Sequence, residues 1–80
     1  MKQARLKQDL AEAERCIADG KAYVQSQRAI VAKLTRQGQD VEKAKIILKT
    51  LQDTLAEHIE HRDQLKRQLT RYEQKAKSAD

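Results

Sequence analysis

The 80-residue sequence contains no proline, tryptophan or phenylalanine and only two glycines. Proline and glycine weaken helices, so their scarcity leaves few places where a helix would have to stop. The abundant residues are Ala, Leu, Gln, Glu, Lys and Arg, and 36% of the chain is charged. This composition is typical of long helices or a coiled coil, so we expect an all-α protein without strands.

Cysteine and long apolar runs are also scarce. Cys16 is the sole cysteine, so the chain cannot form an internal disulfide and has no cysteines at zinc-ligand spacing. We expect Cys16 to be a small buried hydrophobic residue, the alternative being a reactive or intermolecular thiol. The apolar runs are too short for a membrane span or a signal sequence. These absences favour a single soluble domain in a reducing cytoplasm.

Apolar residues recur in alternating steps of three and four along both halves of the chain. Such a row forms a coiled-coil seam, the line of side chains that faces a partner helix. The first seam breaks at Gly38, because continuing its register would place lysines and a glutamine on it. The first seam comprises Leu6, Leu10, Ala13, Ile17, Gly20, Val24, Gln27, Val31 and Leu34. The second comprises Val41, Ala44, Leu48, Leu51, Leu55, His58, Arg62, Leu65, Leu69 and Tyr72.

Residues 37–40 have the properties of a turn between two helices. Gly38 can adopt the left-handed conformation that ends a helix, and Asp40 can cap the amides that begin the next one. We therefore predict helix one from about residue 3 to 36 and helix two from about 41 to 76, packed antiparallel. The alternative is one continuous helix in a long dimeric coiled coil, which would have to accept the register shift.

The hairpin places each residue i close to residue 76 − i, so we expect Gly20 to lie by Leu55 and Ile59 on the second helix. A glycine in mid-helix costs about 1 kcal/mol relative to alanine, which favours a close approach between the helices at this point. The alternative is a helix weakness that the fold merely tolerates.

Three polar residues interrupt the seams and form a predicted polar core layer: Gln27, His58 and Arg62. Such a layer can fix register and partner choice at a cost in stability. We expect His58 to be half-buried and hydrogen-bonded across the hairpin. The guanidinium of Arg62 would reach an acidic side chain of helix one, for which the candidates are Asp9, Glu12 and Glu14.

Apolar residues beside the seams widen the stripe beyond what one partner helix covers. Two hairpins that paired into a four-helix bundle would bury these residues, so we expect a homodimer with two-fold symmetry. A different protein supplying the missing helices would satisfy the same physics. The residues of the predicted dimer stripe are Cys16, Tyr23, Ile30, Ile47 and Ile59.

The segment "EHIEH" offers His58 and His61 on one helical face, which could hold a metal ion. The carboxylate–histidine spacing of dinuclear helical bundles is absent, since Glu60 stands three residues after Glu57. We therefore interpret the segment as a polar break rather than a metal site. No nucleophile, base and orienting group converge in the sequence, and no cofactor fingerprint is present. We expect neither an enzyme nor a bound cofactor.

Positive charge is concentrated near both termini. Residues 1–8 and 58–79 each carry a net charge of +3, whereas residues 9–57 are neutral. The hairpin brings these basic segments to one open end, where Lys66, Arg67 and Arg71 are possible phosphate contacts. Nucleic-acid binding is therefore the alternative function, and a solvated basic surface is the simpler explanation. Stacking on bases has little support, since Tyr23 and Tyr72 are the sole aromatic residues.

Fourteen residues from Gly20 to Arg62 resemble those of short helical-hairpin proteins, chiefly from alphaproteobacteria, whose function is not established. The resemblance covers about half the chain and implies a hairpin in a bacterial cytoplasm, without implying an activity or partner. In shape alone the chain is also similar to a plasmid copy-control type of hairpin that dimerises and binds RNA. We expect a small protein–protein interaction or assembly module. The residues that carry the alphaproteobacterial resemblance are Gly20, Val24, Gln27, Ile30, Val31, Leu34, Gly38, Asp40, Ala44, Leu48, Leu51, Leu55, His58 and Arg62.

Overall fold

A computed structural model describes the backbone of residues 2–78 and the side chains of residues 2–76. Two helices, α1 (Lys2–Arg36) and α2 (Glu42–Ser78), pack against each other along their length. They form an antiparallel hairpin that measures 66 × 14 × 14 Å. No strand occurs among the described residues. The predicted all-α helical hairpin is therefore confirmed.

Helix α1 ends in a turn that requires glycine. Gly38 has a φ of 69°, which lies in the left-handed region that side chains disfavour. Its amide donates to the carbonyl oxygen of Thr35 at 3.1 Å, and the next amide, of Gln39, donates to that of Leu34 at 3.0 Å. This pair of bonds is a Schellman motif, which satisfies two of the free carbonyl groups at the helix end.

Helix α2 begins directly after this turn. The Oδ1 atom of Asp40 accepts a hydrogen bond from the amide of Glu42 at 3.0 Å, as expected for a residue that caps a helix. The first turn is closed by the amide of Lys45, which donates to the carbonyl oxygen of Val41 at 2.9 Å. The two helices are thus separated by five residues and run in opposite directions.

The interface between the helices is a thin core. Five apolar side chains are buried in it, and no described side chain is fully buried. The hairpin exposes 6473 Å², whereas a compact monomer of the same mass exposes about 4,900 Å². The elongated hairpin therefore exposes about 1,500 Å² more than a compact monomer would. The buried residues are Ala13, Ile17, Val24, Ala44 and Leu65.

Gly20 lies where the two helices approach closely. A Cβ atom placed on Gly20 would lie 3.1 Å from Cδ1 of Leu55, which is tighter than most contacts of this kind. The glycine therefore accommodates the Leu55 side chain of the opposite helix, in line with the register that the sequence predicts.

Candidate functional site

One side of the hairpin carries a line of exposed apolar residues, which we call the apolar face. On α1 it consists of Cys16, Tyr23 and Ile30, which are seven residues apart and therefore lie on one side of the helix. On α2 it continues at Ile47, which is level with Ile30. Tyr23 is 60% exposed, Ile30 is 47% exposed and Ile47 is 51% exposed. These are large apolar surfaces without a partner in the hairpin.

A groove of about 350 Å³ runs along the apolar face between the two helices. Gly20 and Leu55, which approach each other closely, both line it. Ile47 is one helical turn before Leu51 and two turns before Thr54, which both line the groove. It therefore lies on the same side of the hairpin as the α1 groove residues Cys16 and Tyr23. Its lining residues are Cys16, Asp19, Gly20, Tyr23, Leu51, Thr54, Leu55 and His58.

The expectation that Cys16 is a buried residue was wrong: Cys16 is exposed in the hairpin, because it stands beside the seam and not on it. One residue of the predicted dimer stripe, Ile59, lies differently from expectation. Ile59 is half-buried, and a helical step of about 100° from His58 takes it to the other side of the seam, away from the groove. Ile46 is 64% exposed and lies about 100° from Ile47, so it is an exposed apolar residue outside this face.

The predicted polar core layer is one contact between the helices rather than a connected network. Gln27 is half-buried, and its Nε2 atom donates to the carbonyl oxygen of Ala44 at 3.0 Å. The small side chain of Ala44 lets the amide reach the backbone of α2. Because it joins residues of the two helices, this bond favours one register of the hairpin.

Among the residues that the structure describes, His58 and Arg62 make no such contact with α1. His58 is half-buried, but within the described residues its ring makes no hydrogen bond across the hairpin, so that expectation was wrong. Arg62 binds the carboxylate of the adjacent Asp63, with Nη2 at 3.0 Å and Nε at 3.1 Å from Oδ1. The expected pairing with helix one is therefore also wrong, because a carboxylate on α2 itself is within reach.

The described residues show neither a metal cluster nor a membrane span. No group of three His, Cys, Asp or Glu side chains in this part of the chain could hold a metal ion. No described helix combines the length and the apolar character needed to cross a bilayer.

The basic open end contains a second groove. It has a volume of about 580 Å³, and its wall combines three cationic side chains with apolar ones. Beside it, the predicted phosphate contacts Lys66 and Arg71 line a smaller surface depression with Arg67. Arg67 also lies 3.7 Å from the carboxylate of Glu60, so part of its charge is compensated. The larger groove is lined by Lys2, Leu6, Gln68, Arg71, Tyr72, Gln74 and Lys75.

The charged residues of the hairpin form three bands along its length. They are not evident in the linear sequence, because two of them combine segments of the two helices that are far apart in the chain. The open-end band, residues 2–10 and 66–76, has seven basic and two acidic side chains, for a net charge of +5. The middle band, residues 11–24 and 52–65, has three basic and seven acidic side chains, for −4. The turn-end band, residues 25–51, has six basic and two acidic side chains, for +4. Counting charge by position in the hairpin would have revealed the acidic middle.

No family model, curated protein or solved structure matches the chain. The resemblance to short alphaproteobacterial hairpin proteins therefore stays a prediction. The features that bear on function are the apolar face, the open-end groove and the three charge bands.

Proposed function

We propose that the protein is a small, non-enzymatic assembly module that forms a homodimer through its apolar face, in a bacterial cytoplasm. The observation that carries this proposal is the continuous row of exposed Tyr23, Ile30 and Ile47 beside an open groove. Contiguous exposed apolar surface of this kind marks a site of association in soluble proteins. Pairing two such faces would produce a four-helix bundle with a thicker core.

The apolar surface is confined to one side of α1, which favours a single partner surface. The residues two positions before the face residues Tyr23 and Ile30 are Lys21 and Arg28, and both are exposed. Two residues correspond to about 200° around a helix, so these cations occupy the opposite side of the seam. A second copy that covered the apolar face would leave the charged side in water.

A second copy of the chain can cover the apolar face without requiring a different protein. In a two-fold dimer the same surface patch serves both partners, so each apolar face is covered by the other. The thin core of the isolated hairpin also favours dimerisation, because small folds with little buried surface gain stability from association.

Two adjacent isoleucines allow a matched test of this proposal. Ile47→Glu places a charge on the apolar face, whereas Ile46→Glu makes the same substitution one residue earlier, on another side of α2. We expect light scattering to give a dimer for the wild-type protein and Ile46→Glu, and a monomer for Ile47→Glu. A wild-type protein that remains a folded monomer at micromolar concentration would refute the proposal. Equal dimerisation of the two variants would show that another surface is used.

The basic open end supports a second candidate function, the binding of RNA or DNA. Lys2, Arg71 and Lys75 line one groove, and cations grouped in this way attract phosphates. We expect such binding to weaken with salt and to be lost when Arg67 and Arg71 are both replaced by Glu. The control replaces Arg28 and Lys49 by Glu, which changes the charge equally but outside the open end. An absence of retention on nucleic acid at low salt would exclude this function.

A further inference from the structure

We propose that two copies pair antiparallel in a half-overlapped dimer, with the turn-end band of each hairpin on the middle band of the other. Both open ends then extend beyond the overlap. This inference rests on the proposed dimerisation and adds the arrangement of the partners. It is drawn from the charge bands and from the position of the apolar face.

The charge bands disfavour a dimer in which the hairpins overlap along their whole length. Antiparallel pairing with full overlap would place the two middle bands, each −4, on each other, and it would oppose the positive ends. Parallel pairing with full overlap would also oppose like charges. A shift that brings the turn-end band, +4, onto the middle band, −4, removes this repulsion. Complementary potentials of this kind select the register of an interface.

Two-fold symmetry selects the antiparallel form of the shifted pair. A parallel pair shifted by the same distance would leave one middle band and one turn-end band unmatched, so further copies could add at each end. In the antiparallel pair, the middle band of each copy lies on the turn-end band of the other. No band is left unmatched, so the assembly stops at two copies.

The rim of the apolar face carries charges that fit this arrangement. Asp19 and Glu57 lie at one level of the hairpin; Asp19 lines the groove, and Glu57 is one turn from the groove residue Thr54. Lys33 and Lys43 lie together at another level, one turn from Ile30 and Ile47 respectively. The rim thus has an acidic pair at one end and a basic pair at the other.

The register that the rim charges define also brings large apolar residues of the two copies together. A two-fold axis midway between the acidic and the basic pair passes at the level of Ser26 and Thr50. About this axis, the acidic pair of each copy faces the basic pair of the other. The same axis places Tyr23 opposite Ile30 and Ile47 of the second copy. Charge complementarity and apolar contact therefore coincide.

The overlap is large enough for a stable dimer. It extends about 12 residues to each side of the axis, or about 36 Å in total at 1.5 Å per residue. Two helices side by side are about 20 Å wide, so each hairpin would cover about 700 Å² of the other. Stable protein interfaces bury about 600–1,000 Å² on each partner, a range that includes this value.

The length of the dimer distinguishes this arrangement from full overlap. Two hairpins of 66 Å that share about 36 Å span about 95 Å, whereas full overlap gives about the length of one hairpin. Small-angle X-ray scattering of the wild-type protein, with its mass from light scattering, measures this length. A dimer of about 95 Å supports the inference. A dimer about as long as one hairpin overturns it and leaves the proposed function intact, whereas a monomer overturns both.

Charge reversals test the register itself. Replacing Asp19 and Glu57 by Lys should weaken dimerisation at least about tenfold, because each new lysine then faces lysines of the other copy. Adding Lys33→Glu and Lys43→Glu to that variant should restore dimerisation to near the wild-type value. If the fourfold variant remained as weak as the double variant, the register would be wrong.

The control for these reversals introduces the same charge elsewhere on the middle band. Glu14 lies about 200° from Cys16 around α1, and Asp53 is exposed and paired with Lys49 on α2. Replacing both by Lys should change dimerisation far less than the reversal of Asp19 and Glu57. An equal loss would show that net charge, and not the proposed register, controls the association.

Discussion

Replacing Gly20 by alanine sets two effects of known sign against each other. Alanine is favoured over glycine in the middle of a helix by about 1 kcal/mol. The new Cβ atom would lie 3.1 Å from Cδ1 of Leu55, so this methyl group must move by a few tenths of an ångström. Moving a side chain away from its preferred rotamer costs about 0.5–1.5 kcal/mol. We therefore expect Gly20→Ala to change the free energy of unfolding by between about −0.5 and +0.5 kcal/mol.

A double-mutant cycle separates these two effects. In a Leu55→Ala background the obstructing methyl group is gone, so Gly20→Ala should there stabilise the protein by the full value of about 1 kcal/mol. Ala22→Gly, at an exposed position of the same helix, measures the helix propensity alone and should cost about the same amount. Urea unfolding followed by circular dichroism, at one protein concentration, gives all the values.

The cycle has a clear refuting result. If Gly20→Ala destabilises the wild-type protein by more than about 1 kcal/mol, the leucine cannot move, and the helices are held rigidly at this level. The other refuting result is that Gly20→Ala has the same effect in the wild-type protein and in the Leu55→Ala background. That result would show that contact with Leu55 is not the reason for a glycine at position 20.

Substitutions at three further positions test the turn and the contact between the helices by urea unfolding and, at Gln27, also by distances between spin labels. Gly38→Ala should destabilise by about 1 kcal/mol or more, because φ is 69° there; an unchanged midpoint would refute the left-handed turn. Asp40→Ala should cost about 1 kcal/mol, and Asp40→Asn should retain most of that stability. Gln27→Leu should stabilise the seam while broadening the distribution of distances between spin labels on the two helices, since the bond to Ala44 that favours one register is lost.

The backbone of this protein follows from local features that a sequence displays directly. The seams determine which sides of the helices meet, and their break coincides with Gly38, whose left-handed conformation ends α1. Asp40 caps the next helix through its own side chain. Because these signals agree with one another, the all-α hairpin could be predicted from them.

The partners and the exposure of individual side chains could not be predicted as well from the sequence. Arg62 had several carboxylates within reach, and the choice of Asp63 depends on rotamers that spacing does not encode. Cys16 was expected to be buried because cysteine usually is, although its position beside the seam indicates an exposed flank. The acidic middle band was missed because it combines segments of α1 and α2 that are far apart in the sequence.

The hairpin connectivity also sets the order in which the structure forms and opens. Contacts near Gly38 join residues close together in the chain, whereas those near Leu6 and Leu69 must close a loop of more than 60 residues, which costs more entropy. Beyond the level of Ala13 and Leu65, toward the termini, no described residue is buried. We therefore expect folding to begin at the turn and to proceed toward the open end, and we expect amide hydrogens to exchange fastest at the open end. A ligand that binds both helices at the open end should slow amide hydrogen exchange there and leave exchange at the turn unchanged.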